Sequence, residues 1–299
     1  MDRLADLGVL KIMITGGEPL VHKDVFKIMK YIKDKNMDFA LFTNGILLNK
    51  NNIKKIKKFN PDVIAISIDS IKHNIHDKIR GQNCFKKTIE NIDLLLDEKI
   101  PVRINTTIFR GLNDKQKDIE SLIEFFIKKG VREIVIGDFI DYGRGKKHKK
   151  YIPSVNEARK IVKAFKNKTK HVKYKNSLPA LKFSDSFKDD KTKLSLNNSI
   201  CGIGTFMLAI KENGDIILCT VLDDKKYNAG NILKKDIKDI WLNSKIFKQL
   251  RDHSLNDVVK CRKCSNKYEC LGGCKARALM YNKKFNSPDL WMCSVYNSH

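Results

Sequence analysis

Five apolar, β-branched runs alternate with amphipathic stretches through the first half of this 299-residue chain, and that alternation constrains its fold more than any other feature. The runs are VLKIMIT (9–15), DFALFT (38–43), VIAISI (63–68), PVRINTTIF (101–109) and EIVIGDFI (133–140). Between them lie DVFKIMKYIKDKN (24–36), NIKKIKKF (52–59), FKKTIENIDLLLDEK (85–99) and DIESLIEFFIKKG (118–130), whose apolar residues recur at helical spacing. Strands that alternate with helices imply an α/β fold with a parallel sheet, open or curled into a barrel. Near-continuous apolar strands imply that helices cover at least one face of it.

The second half changes texture. A helix is expected from about Ser154, a plausible N-cap, to Lys166. Residues 167–198 are polar and irregular and read as a connector, and from Cys201 onward short strands, turns and seven of the eight cysteines take over. The expected organisation is a domain over 1–150, a helix and linker over 151–198, and a cysteine-rich domain over 199–299. A hydrophobic content of 42% supports a true core, and no apolar run approaches membrane-spanning length. The N-terminus, MDRLADLGVL, has neither the basic start nor the apolar stretch of a signal peptide, so a cytoplasmic chain with reduced thiols is expected.

The net charge of +25 is large, but only ten of the 59 basic residues are arginine and the lysines are dispersed. No helix-turn-helix, RNP-like or finger motif accompanies the charge, so no specific nucleic-acid partner and no membrane partner is expected. The dense run KKHKK (146–150) reads as loop or linker.

The C-terminal cysteines follow the pattern C-x12-G-x4-C, a gap, C-x2-C-x5-C-x3-C, a second gap, and C, from Cys201 to Cys293. A C-x2-C pair lets two thiolates reach one metal centre from a tight turn, which a zinc ribbon would use equally well. Seven is an awkward number for disulfides, since one thiol is left over, and two four-thiolate zinc sites would need eight. Four plus three suits two iron–sulfur clusters, one of them with an iron left open or held by a different ligand. Cys84, in GQNCFKK, stands apart and reads as a half-buried structural cysteine.

Near the other end, ITGGEPL (14–20) closes the first strand and opens a helix. Two glycines let backbone approach a ligand closely, and a carboxylate there accepts bonds from an ammonium group or serves as an N-terminal helix charge. The ordinary readings of later motifs are structural: Asn44 and Gly45 make a turn, Ser67 caps, and Arg80 pairs with Asp77 or Asp69.

The cysteine pattern, together with GNI (230–232), DIW (239–241) and GGCKAR (272–277), resembles the SPASM domain of radical S-adenosylmethionine (SAM) enzymes. GGEP, TNG (43–45), SID (67–69), HDKIRG (76–81), INTT (104–107) and DYGRG (141–145) resemble the strand ends of their catalytic barrel, so the resemblance spans the whole chain. It implies a partial (β/α)6 barrel lacking its first strand, followed by the SPASM domain. It implies that Gly16, Gly17 and Glu18 hold the methionine amino group of SAM, with Pro19 starting the helix. Ser67 and Arg80 would contact its ribose or carboxylate, and Asn105 would face the site. Cys201, Cys219 and Cys274 would hold a first auxiliary [4Fe-4S] cluster, and Cys261, Cys264, Cys270 and Cys293 a second. LSLNNSI (194–200) lacks the eighth cysteine found upstream of the first in some relatives.

Members of that family cleave SAM to a 5′-deoxyadenosyl radical on a third cluster, held by a C-x3-C-x2-C loop after the first barrel strand. No such loop occurs in these 299 residues, and the only cysteine before Cys201 is Cys84. The expectation is a chain shortened at its N-terminal side that does not cleave SAM as it stands, with the third cluster present only in a fuller form. The resemblance further implies a peptide or protein substrate and a reductant such as flavodoxin or ferredoxin. Two other roles stay open: a tetrapyrrole or other cofactor-biosynthetic enzyme, and a non-catalytic iron–sulfur electron-transfer or scaffold protein. A zinc-binding nucleic-acid protein would suit the charge and the C-x2-C pair but not the barrel.

Overall fold

The structure is a computed structural model that describes residues 1–168, 173–176, 202–222, 224–270 and 272–296. They form two compact units, Met1–Phe139 with Lys160–Lys175, and Ile140–Arg159 with Asn176–His299. The chain therefore enters the second unit, returns to the first, and leaves again, where the sequence suggested successive blocks.

The first unit is a sheet in the order β1 (Lys11–Ile14), β2 (Asp38–Thr43), β3 (Val63–Ser67), β4 (Val102–Ile108), β5 (Glu133–Asp138), β6 (Lys173–Asn176). Strands β1 to β5 are parallel throughout, and strand order equals chain order. With right-handed crossovers, an order that never reverses puts every connecting helix on one face. The sheet then wraps with its other face inward, which is the frame of a partial (β/α) barrel. The helices are α1 (Asp2–Asp6), α2 (Val25–Asp34), α3 (Lys50–Lys57), α4 (His73–Arg80), α5 (Cys84–Asp97), α6 (Gln116–Lys128) and α7 (Val155–Lys168). Ser154 accepts the Glu157 amide at 3.2 Å and so caps α7.

The five strand-like runs of the sequence are β1 to β5. Two elements differ from expectation. Strand β6 lies inside the stretch read as a connector, because KYKN has no apolar residue besides a tyrosine to mark it. The run KKHKK belongs to a 3-10 stretch, Gly143–Tyr151.

Packing follows the periodicity. In α2, Val25, Met29 and Ile32 are buried at spacings of four and three, and in β4 alternate residues are buried, from Val102 to Ile108. Phe39, Leu41, Ile64, Ile66, Ile104 and Ile134 are fully buried. Each such side chain contributes about 1.5–3 kcal/mol relative to exposure. Five helix-to-strand joints each turn on one residue with positive φ: Gly8, Asn36, Asn60, Lys99 and Gly130. That is the left-handed stop that ends a helix and satisfies its last carbonyls.

The second unit holds a small antiparallel sheet, β7 (Ala209–Ile210), β8 (Asp215–Ile217) and β9 (Asn228–Asn231), with a bulge at Ile216/Ile217. Its helices are α8 (Ile237–Asn243), α9 (Lys245–Arg251), α10 (Val259–Arg262), α11 (Lys267–Cys270), α12 (Lys275–Asn282) and α13 (Leu290–Tyr296). Phe247, Leu279 and Met292 are fully buried, and Leu255, Val258 and Cys261 form a cluster of their own. Among the described residues no helix is long and apolar enough to cross a membrane.

Candidate functional site

Because β1 to β5 are parallel, the segments that follow them gather at one edge of the sheet, where open α/β folds and barrels place their ligands. After β1 the chain turns through Gly16 and Gly17, and a Cβ at either position would meet nothing within 4 Å. Glu18 then caps the 3-10 turn Pro19–Val21, accepting the Leu20 amide at 3.2 Å. Its carboxylate also accepts the Thr43 hydroxyl at 2.7 Å and the Asn44 amide at 2.8 Å, both at the end of β2. A carboxylate offers about four acceptor positions, so three protein donors aim this group and leave capacity for one more. The sequence identified Glu18 and marked TNG as a strand end, but gave Thr43 no role of its own. Thr43 is the holder it missed, and a hydroxyl one residue before an Asn-Gly turn gave no signal of that.

At the end of β3, Asp69 is fully buried and organises its surroundings. It accepts Arg80 Nε at 2.5 Å and Nη2 at 3.1 Å, and the Thr107 amide at 2.8 Å. Its backbone amide donates to His76 Nδ1 at 3.3 Å, and its carbonyl accepts Asn113 Nδ2 at 2.6 Å. Arg80, in the last turn of α4, is thus held by Asp69. Asp77 instead accepts the Phe85 amide at 2.8 Å at the start of α5. Burial pulls the His76 imidazole below its ordinary pKa, against the smaller upward pull of Asp69.

Ser67 and Asn105 are ladder partners between β3 and β4, and so share a face of the sheet. The Asn105 Oδ1 is buried without a hydrogen-bond partner among the described residues. An orphaned acceptor there costs free energy unless a ligand or water supplies a donor. One row away, Arg103 and Glu133 face each other in register and form an ion pair at 2.8 Å, mostly removed from solvent. The sequence did not single out that pair, because both residues fall on the half-buried positions of their strands' alternation.

In the second unit Cys261 and Cys264 are joined across one turn, the Cys264 amide donating to the Cys261 carbonyl at 3.1 Å. Cys270 ends α11, Cys274 caps α12, and Cys293 lies within α13. None of the described cysteines is in a disulfide. Burial first, then the negative charge of Cys293 and Cys264, pushes the Cys261 thiol up to about 11. Burial and then Cys293 push Cys270 up to about 12. Cys293 is raised by burial and also senses Cys264. Cys274 is raised by burial against the opposing charge of Arg277, and the cysteine it senses is Cys219. Cys261, Cys270 and Cys293 thus sense one another or Cys264, and Cys274 senses Cys219. Cys201 lies outside the described residues. Cys84, in the first unit, is buried, its thiol donates to the Gly81 carbonyl at 2.9 Å, and burial, then Asp77, raises it to about 11. It is a structural cysteine.

An all-thiolate donor set suits an iron–sulfur cluster, whose ligands are cysteine thiolates. The positive iron charge of a bound cluster would oppose the burial and neighbouring negative charge that raise the Cys261 and Cys270 thiols.

A singly wound parallel sheet with polar strand ends and, in the same chain, a set of thiols of which Cys261 and Cys270 are buried and Cys219, Cys264, Cys274 and Cys293 half-buried define an iron–sulfur protein built on a (β/α) frame. The chain carries a radical SAM domain and a SPASM iron-sulfur cluster-binding domain. Residues 1–126 match the model of the radical SAM superfamily, and 201–265 that of the SPASM iron-sulfur cluster-binding domain. Cys270, Cys274 and Cys293 lie beyond the second match. The two domains imply [4Fe-4S] clusters. The chain is 28% identical to AdoMet-dependent heme synthase of Methanosarcina barkeri, over 93% of this chain and 80% of that protein. It is 27% identical to AlbA, the antilisterial bacteriocin subtilosin biosynthesis protein of Bacillus subtilis, over 94% of this chain but 60% of AlbA. The fold matches that of Streptococcus suis SuiB bound to its precursor peptide SuiA, with a TM-score of 0.72 and 17% identity over 98% of this chain and 67% of SuiB.

Proposed function

We propose that this chain works as a radical SAM/SPASM protein whose chemistry modifies a side chain of a peptide or protein. The observation that carries the proposal is the combination of an aimed Glu18 carboxylate with a second unit rich in free thiols. SAM on a reduced cluster supplies hydrogen-abstracting radical chemistry. The residues of this chain bind and orient. Glu18, fixed by Thr43 and the Asn44 amide, accepts the methionine ammonium of SAM, and Gly16 and Gly17 leave its approach open. Ser67 and Asn105 offer polar contacts at the same strand edge, and Asp69 steadies Arg80 toward the ribose or carboxylate. Cys219 and Cys274, with Cys201, hold the first auxiliary cluster, and Cys261, Cys264, Cys270 and Cys293 the second. AlbA and the SuiB–SuiA complex support a peptide substrate. The reductant in this reading is a flavodoxin or ferredoxin. The heme synthase, of which this chain spans more, favours a second reading in which the substrate is a tetrapyrrole.

The test starts with the coding sequence upstream of Met1, because these 299 residues contain no C-x3-C-x2-C loop. The polypeptide extended by that loop should convert SAM to 5′-deoxyadenosine under anaerobic reduction, and E18Q should weaken SAM binding by about 10- to 100-fold through one charge-assisted bond. Mass changes in added peptide, as against added porphyrinoid, separate the two substrates. An upstream stop codon with no loop, and a brown chain that never cleaves SAM, would instead establish an electron-transfer or scaffold protein.

A further inference from the structure

Asp289 is one of the most deeply buried charged residues in the second unit, and its interactions reach both groups of thiols. It is 1% exposed and pairs with Arg277, itself 6% exposed. Arg277 Nε donates to both carboxylate oxygens at 2.9 Å and Nη2 donates to Oδ2 at 2.8 Å. Oδ2 also accepts the backbone amide of Cys274 at 2.8 Å. On the other side, Oδ1 accepts the Met292 amide at 3.3 Å, and the Asp289 carbonyl accepts the amide of Cys293 at 2.9 Å, starting α13. The approach is close, since a Cβ on Gly273 would come within 2.4 Å of the Asp289 Cβ. Arg277 closes the arrangement by donating its amide toward Cys274 Sγ at 3.5 Å and stacking 4.4 Å over Trp291.

We propose that Asp289 is a positioning residue shared by the two auxiliary cluster sites, locking Cys274 of one and Cys293 of the other into a single rigid frame and setting both reduction potentials together. The proposal rests on the assignment of those cysteines to separate clusters. A carboxylate that took only one amide would serve one site. Here the same side chain receives the amide of one ligand and begins the helix that carries the other, while its ion pair with Arg277 compensates the buried charge. Charge and hydrogen bonding near an iron–sulfur cluster set its potential.

The experiment uses the full 299-residue chain, reconstituted anaerobically with iron and sulfide. Iron and sulfide content and a potentiometric EPR titration are measured for wild type, D289N, D289A, C274A and C293A. C274A and C293A should each lose the iron of one cluster. D289A should lose the iron of both. D289N, which keeps the shape and removes the charge, should retain both clusters with both midpoint potentials shifted upward, and it decides the matter if D289A does not fold. Potentials in D289N that move for one cluster or for neither would overturn the inference, as would a D289A protein that keeps either cluster in full. A wild-type chain without two distinguishable clusters would instead overturn the cluster assignment, and this inference with it.

Discussion

At the scale of single residues, the first unit turns on Asp69. The sequence offered Asp69 and Asp77 as partners for Arg80, and it could not choose, because both lie within a few residues and one short helix. The choice depends on where the end of β3 meets the Thr107 amide, a contact 38 positions away. Removing one member of a pair in which the carboxylate is buried leaves the other uncompensated, so D69N should cost about 3 kcal/mol, seen as a lowered urea midpoint. R80M strands the fully buried Asp69 carboxylate without its cation and should cost at least as much. His76 gives a pH dependence whose sign follows from burial. Its folded pKa is lowered, so the unfolded chain binds the extra proton first. The stability it protects is complete above the ordinary histidine value of about 6.5 and is lost as pH falls below it, by at most about 1.4 kcal/mol per pH unit. H76F should flatten that part of the stability profile. An unchanged slope would assign the effect to other groups.

At the scale of elements, helix ends and strand ends respond to substitution in opposite ways. Gly45 ends the β2 turn at a φ of +83°, and an added Cβ would lie 2.8 Å from Thr88 Cγ2 and 3.0 Å from Ile66 Cγ2. G45A should therefore cost about 2–4 kcal/mol, from left-handed strain and overpacking together. Lys99 holds a comparable left-handed conformation, φ +57°, without being glycine. K99G should raise the melting temperature slightly, since the strain it relieves exceeds the added chain entropy by about 0.5 kcal/mol. A lowered melting temperature for K99G would show that the lysine side chain has a role of its own. The same scale explains which elements were legible. The amphipathic α2, α5 and α6 announce themselves by apolar spacing, whereas α4, HNIHDKIR, is short and polar and is stabilised by the burial of His76 and the anchoring of Arg80.

At the scale of the whole molecule, the two units differ in what supports them. The first has a continuous core of isoleucine, leucine and phenylalanine along five strands. In the second, α10 and α11 are four residues each, far below the length at which a helix is stable by itself in water. Clusters bound between such elements would supply folding free energy, as structural metals do in small domains. Stripping iron from the reconstituted chain with a chelator should accelerate amide exchange in α10 to α13 at least tenfold while the amides of β1 to β5 keep their protection. Equal protection before and after chelation would mean that the second unit folds without its clusters.

The sequence by itself determined the five-strand alternation, the Glu18 turn and the spacing of the cysteines, because periodicity and short motifs are local properties of a chain. The tertiary structure decided the rest. It made Asp69 the partner of Arg80, brought Thr43 to Glu18, set Arg103 against Glu133, added β6 to the sheet edge, and brought the Asp289 carboxylate to the Cys274 amide. The physical reason is common to all of them. Each depends on which distant backbone a buried polar group meets, and burial obliges that group to find a partner wherever the fold places one.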